Sequence, residues 1–156
     1  MRQQLTYPHK GYKINPNSRD SLIASDTNTG GTTVSISREN NVRKRIIKDI
    51  RPWGIFKRYA HNEKCTVKII TVNPNQVLSK QVHKKRNELW VIIDEGLRVE
   101  LDDKILEPKP GDEIVIPRNI KHRLSSLGGK GRVLEISFGD FDENDIERFD
   151  DVYGRK

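Results

Sequence analysis

From Arg51 onward the apolar residues of this chain arrive in short runs broken by turn residues, with no long stripe of helical period. Such spacing restricts the region to a series of short strands. Thr66 to Val72 reads as one strand, with Val67, Ile69 and Val72 as the inward positions. Glu88 to Ile93 is a continuous apolar run after its first residue, as in a strand buried on both faces. Leu97, Val99 and Leu101 alternate with Arg98 and Glu100, a half-buried strand that turns at Asp102-Asp103 into Lys104 to Leu106. Pro108 and Pro110-Gly111 mark a turn before Glu113 to Ile116, and a further strand starts near His122. Val133, Glu135 and Ser137 alternate with Leu134, Ile136 and Phe138. Short strands in this number and spacing predict an all-β sandwich or barrel. The end differs: Asp142 is an N-cap candidate followed by acids, with Ile146 and Phe149 three apart, which predicts a short C-terminal helix across the barrel.

Residues 1–45 read as a flexible polar and basic arm, and residues 46–156 as the folded domain. Ser25 to Thr33 is polar and turn-rich, too poor in apolar residues to offset the entropy of being ordered. Val34 and Ile36 alternate with serines and suggest a short edge strand. The net charge of +7 is uneven: residues 1–51 hold 10 Lys/Arg against 4 Asp/Glu, leaving +6, and residues 52–156 hold 19 against 18, leaving +1. A basic groove along the domain is therefore not expected, which argues against nucleic acid as a partner. No apolar run approaches the roughly 18–20 residues that span a bilayer, and Met1 to Leu5 offers no secretory core, so no membrane association is expected. The single cysteine, Cys65, excludes an internal disulfide framework and fits a reducing cytoplasm.

Four polar residues stand out once the strands are placed. Gln81 and His83 are two apart and share a face on a strand; Glu88 begins the next strand, which a hairpin would fold back beside them; His122 opens a later one. Two imidazoles, a carboxylate and an amide oxygen suit a divalent first-row metal with open positions.

These residues also carry a resemblance. Asn75, five residues, Gln81-Val82-His83, four residues, Glu88 and later Gly96 resemble the first motif of the cupin superfamily. Gly111, five residues, Pro117-Arg118-Asn119, two residues and His122 resemble the second. Asn75 and Asn119 stand where glycine is common, and asparagine tolerates positive φ best after glycine. Within cupins, Arg51-Pro52-Trp53-Gly54, the run from Gln81 through Arg86 and Glu88 to Trp90, Ile116-Pro117, His122-Arg123-Leu124 and the tail from Asp145 to Arg155 resemble type II mannose-6-phosphate isomerases. That domain also occurs at the C-terminus of mannose-1-phosphate guanylyltransferases.

The resemblance implies a cupin double-stranded β-helix (jelly-roll) barrel. It implies a divalent metal held by Gln81, His83, Glu88 and His122, zinc first, with manganese, cobalt or nickel as alternatives. It implies an aldose–ketose isomerase interconverting mannose 6-phosphate and fructose 6-phosphate, with Arg86 and Glu88 catalytic. Arg86, Lys84 and Arg155 would bind the phosphorylated sugar. Candidates for the base are Glu88, a hydroxide held by the metal, or Glu135. The alternative is a non-catalytic or different-substrate cupin that binds a sugar nucleotide or sugar phosphate. Because cupins commonly pair edge to edge, a homodimer is expected.

Overall fold

The computed structural model describes residues 41–155. The edge strand expected at Val34 and Ile36, and most of the arm, lie outside the described residues. Two antiparallel sheets face each other. One has the order β3-β10-β5-β8, formed by Cys65–Val72, Gly131–Gly139, Arg86–Ile92 and Glu113–Ile116. The other has the order β11-β4-β9-β6-β7, formed by Glu147–Asp150, Lys80–Val82, His122–Ser126, Leu97–Leu101 and Lys104–Leu106. A separate hairpin joins β1 (Ile47–Arg51) to β2 (Gly54–Arg58). No helix among the described residues is long and apolar enough to cross a membrane.

Alternation along the strands sorts the side chains into two cores. Val72, Trp90, Ile92, Leu97, Val99, Ile114, Ile116, Leu124 and Val133 fill the space between the sheets. Leu89, Val115, Ile136 and Phe138 point to the outer face of the four-stranded sheet, where Val42, Ile46, Tyr59 and Ala60 cover them. The turns use the expected chemistry: Asn75 and Asn119 adopt φ of 59° and 66°, and Asp102 adopts 50° in the β6–β7 hairpin. Asparagine and aspartate accept this left-handed conformation at modest cost because their short side chains bond locally.

Three expectations are corrected. Val67 and Ile69 do not face inward; they are 56% and 60% exposed. On β3 the inward parity belongs to Lys68, Ile70 and Val72, because the register sets Lys68 opposite Glu135 and Ile70 opposite Val133. The C-terminal helix contracts to one 3₁₀ turn, Glu143–Asp145, whose N-cap Asp142 does accept a bond from the Asn144 backbone N–H. The chain then extends as β11 and pairs with β4, placing Arg148 opposite Gln81. The open edge of β4 offers backbone partners that a helix of one or two turns cannot replace. Finally, β4 and β5 do not form a hairpin: β4 pairs with β9 and β11, and β5 with β10 and β8. Gln81 and Glu88 therefore come from facing sheets.

Candidate metal centre

The ligand candidates meet because the β4–β5 connection crosses from one sheet to the other. His83 leaves the end of β4, Glu88 points inward from β5, and His122 opens β9, directly opposite Gln81. His83, Glu88 and His122 are all fully buried, and one ligand atom of each lies within 4.8 Å of the others. His83 Nε2 is 3.1 Å from Glu88 Oε1, and His122 Nε2 is 3.7 Å from Glu88 Oε2.

The other ring nitrogens are already committed. His83 Nδ1 donates to the Arg86 carbonyl at 2.9 Å, and His122 Nδ1 donates to the Ile120 carbonyl at 3.0 Å. Each ring is thereby oriented with its Nε2 lone pair turned to the cluster. His83 Nε2 and Glu88 Oε2 are nonetheless buried without a hydrogen-bond partner, so the 3.1 Å approach of His83 to Glu88 is a contact off hydrogen-bonding geometry. Buried lone pairs converging with no donor between them are costly unless a cation joins them. The three side chains fit a divalent metal by this test. Gln81 borders the cluster with its amide nitrogen 3.5 Å from His122 Nε2, while its Oε1 accepts from Ser79 Oγ at 3.0 Å. A half-turn of the amide would bring its oxygen to the cluster instead.

The electrostatics suit metal binding. Burial pushes the Glu88 carboxyl up, but His83, His122 and Arg86 outweigh it and hold the group at about 2, ionised. Burial pushes His122 below its ordinary value, and the Arg86 guanidinium acts the same way against the pull of Glu88. Trp90, one row deeper, meets the His122 ring edge-on at 5.6 Å between centroids.

The expected substrate cations are arranged differently from one another. Arg86 is 1% exposed and points inward; its Nε donates to Glu88 Oε1 at 2.9 Å and its Nη1 to the Asp142 carbonyl at 3.3 Å. Its guanidinium also lies 4.7 Å from the Phe141 ring centre. The close passage of β10 over this loop requires Gly139, where a Cβ would stand 2.7 Å from the Lys85 carbonyl oxygen. Lys84 is exposed at the rim, 3.6 Å from Glu147. Arg155 makes a two-pronged pair with Asp151 at 3.0 and 2.9 Å beside a shallow groove that also touches Arg148 and Phe149. Glu135 is buried on β10, where Ser137 Oγ donates to it at 3.0 Å and Lys68 Nζ lies 3.0 Å away. Burial and then the Glu88 charge push its carboxyl up, against Lys68 and Ser137. Sequence reasoning missed Lys68 and Phe141. The signal for Lys68 was its parity with Ile70 and Val72.

Two facing antiparallel sheets wrapped around a buried His–Glu–His cluster define a cupin, a double-stranded β-helix of the kind that often binds divalent metals. Residues 38–151 match the model of the mannose-6-phosphate isomerase C-terminal family, and the chain belongs to that family. It is 34% identical over 110 residues to the xanthan biosynthesis protein XanB of Xanthomonas campestris pv. campestris, covering 69% of this chain and 24% of that protein. Over 107 residues it is 36% identical to the alginate biosynthesis protein AlgA of Pseudomonas aeruginosa, covering 67% and 22%. A mannose-1-phosphate guanylyltransferase of Salmonella montevideo is 28% identical over 147 residues, covering 88% and 31%. The chain thus spans less than a third of the length of these relatives. Among solved structures, oxalate decarboxylase from Bacillus subtilis superposes with a TM-score of 0.51 at 22% identity, covering 56% of this chain and 24% of that one. A double-stranded β-helix protein from Klebsiella pneumoniae gives 0.50 at 12% identity, covering 68% and 85%. At these identities the likeness concerns the fold alone.

Proposed function

We propose that this protein is a metal-dependent aldose–ketose isomerase that interconverts mannose 6-phosphate and fructose 6-phosphate. The observation that carries the reading is the buried His83–Glu88–His122 cluster with orphaned lone pairs, in a chain of this family. Those three side chains, with Gln81 at their border, would hold the ion, zinc by first preference, with manganese, cobalt or nickel as alternatives. Once bound, the ion supplies positive charge opposite the sugar oxygen on which negative charge develops. The chain does the rest. Arg86 acts from behind Glu88, keeping that carboxylate ionised and fixed in direction. Lys84 is exposed beside His83, where a cation can grip a phosphate dianion. Arg155 instead pairs with Asp151 on a tail whose Tyr153 docks on Gln76, toward the end of β9 away from His122.

The exposed apolar side chains of the β1–β2 hairpin, Ile50, Trp53, Ile55 and Phe56, support a homodimer, which light scattering would register as twice the chain mass. We take residues 46–156 as the cupin domain and residues 1–45 as its arm. The free Cys65 supports a cytoplasmic setting.

A second reading is favoured by the relatives' names and by the fraction of their length that this chain spans: a cupin that binds a sugar nucleotide or sugar phosphate without turnover. A coupled assay of the full chain, loaded in turn with each metal, separates the two. Turnover of mannose 6-phosphate that disappears in His122→Ala supports the isomerase. Absence of turnover with every metal, alongside calorimetric binding of GDP-mannose, supports the second reading.

A further inference from the structure

The inner face of the four-stranded sheet carries a second polar row beside the metal-ligand row. Antiparallel register sets Thr66, Ser137, Glu88 and Ile116 side by side. In the next row stand Lys68, Glu135, Trp90 and Ile114. Residues two apart on a strand are separated by about 7 Å, so Glu135 stands within a small sugar's length of the ligands. The row after that is apolar, with Ile70, Val133 and Ile92.

Glu135 is 3% exposed in a position whose neighbours along the strand face are a valine and a serine, and an apolar residue would fill it at less cost. Both protein donors, Ser137 Oγ and Lys68 Nζ, meet the same oxygen, Oε1. Neither of these donors is spent on Oε2. Lys68 itself bridges inside and outside: its side chain is 36% exposed, and its ammonium lies 4.1 Å from the centre of the Phe141 ring. Arg86 faces the same ring and is spent on Glu88. Lys68 is thus a cation that pairs with Glu135 from the inner face and reaches solvent.

We propose that Glu135 is the base that carries the carbon-bound proton of the sugar and that Lys68 is its positioning partner, an assignment that rests on the isomerase reading above. In the forward direction the Glu135 carboxylate takes the proton from C2 of the aldose. The C2–H electron pair forms the C1=C2 bond, and the carbonyl pair moves onto O1. The hydroxyl proton passes from O2 to O1, C2=O2 forms, and Glu135 returns its proton to C1. No proton, electron or atom is gained or lost overall. Lys68 occupies Oε1 and favours the charged carboxylate against burial, which leaves Oε2 for the substrate.

The test uses the full-length metal-loaded protein and the variants Glu135→Gln, Lys68→Met and Lys68→Arg. Glu135→Gln is expected to lower kcat by about 10²–10⁴-fold, the usual contribution of general base catalysis. In D₂O it should lose deuterium incorporation into the sugar to the same degree. Its metal stoichiometry, and its Kd for fructose 6-phosphate by calorimetry, should match the wild type. Lys68→Met should lower kcat with KM little changed, and Lys68→Arg should restore part of the loss. If Glu135→Gln does not fold, Glu135→Asp, one methylene shorter, must show the same loss of exchange with metal retained. Near-normal turnover in either Glu135 variant overturns the assignment, as does loss of metal or of sugar binding, which would mark Glu135 as structural. A wild type with neither turnover nor exchange removes the isomerase reading and this one together; an active wild type with an active Glu135→Gln removes only this one.

Discussion

The two faces of the four-stranded sheet use the same strands for different ends. On the inner face, β5 presents Glu88 and Trp90, and β10 presents Glu135 and Ser137. On the outer face the residues between them, Leu89, Val91, Ile136 and Phe138, pack beneath Val42, Ile46, Tyr59 and Ala60. Inside, charge is buried and left partly unmatched; outside, burial is almost wholly apolar. Because side chains alternate with period two, chemistry and stability are interleaved residue by residue and yet remain separable by mutation.

The largest effect expected on either face is the loss of an ion ligand. His122→Ala should release the metal and lower activity by more than the ~10–100-fold that loss of an outer partner costs, read by metal analysis and assay. Next, Arg86→Met leaves Glu88 buried without its guanidinium, and removing one partner of a buried pair costs about 3–5 kcal/mol. That cost should appear in denaturant melts with chelator and shrink when metal is restored. An equal loss in both conditions would mean that Arg86 supports the fold and not the ion. The same cluster sets an acid limb. The folded carboxyl of Glu88 lies at about 2, below its ordinary 4.5, so its contribution is present above about 4.5 and lost as pH falls toward 2. His122 adds to it, since a lowered folded value makes the apo fold lose stability as pH drops below 6.5. Glu88→Gln should flatten the part of this limb below about pH 4.5 in thermal melts, where a carboxyl changes charge, and steepen the imidazole part above it, because Glu88 opposes the lowering of His122.

On the outer face, Leu89→Ala should cost about 2–5 kcal/mol through the cavity it leaves, with metal stoichiometry and acid limb unchanged. Metal loss in this variant would break the claimed separation of the two faces. The smallest effect belongs to Val67→Ser and Ile69→Ser, expected within about 0.5 kcal/mol because both side chains are exposed. A larger change, with a fall in apparent mass, would show that a second copy covers this edge.

Much of this arrangement was legible in the chain. The turn residues marked the strand ends, and asparagine was placed correctly at two left-handed turns. His83, Glu88 and His122 came together, though across facing sheets and not through the expected hairpin. What failed did so for local reasons. Val67 and Ile69 outweigh Lys68 in any hydrophobicity reading, but β3 is an edge strand, and its parity follows the Lys68–Glu135 and Ile70–Val133 register. The acids after Asp142 mimic a helix start, yet Asp145 is occupied in accepting the backbone N–H groups of Lys84 and Lys85. Arg86 resembles a free phosphate-binding cation until its burial beside Glu88 is seen, and burial is not written in a single residue type.

Asp145 and the Asp142 carbonyl hold the loop from His83 to Arg86 from the far end of the chain. A change in what is joined to, cut from or docked against residues beyond Gly139 is therefore expected to reach Glu88 through Arg86. A chain truncated after Gly139 should exchange metal faster than the intact protein, so the carboxyl-terminal segment serves as the fastening of the loop that carries His83 and Arg86.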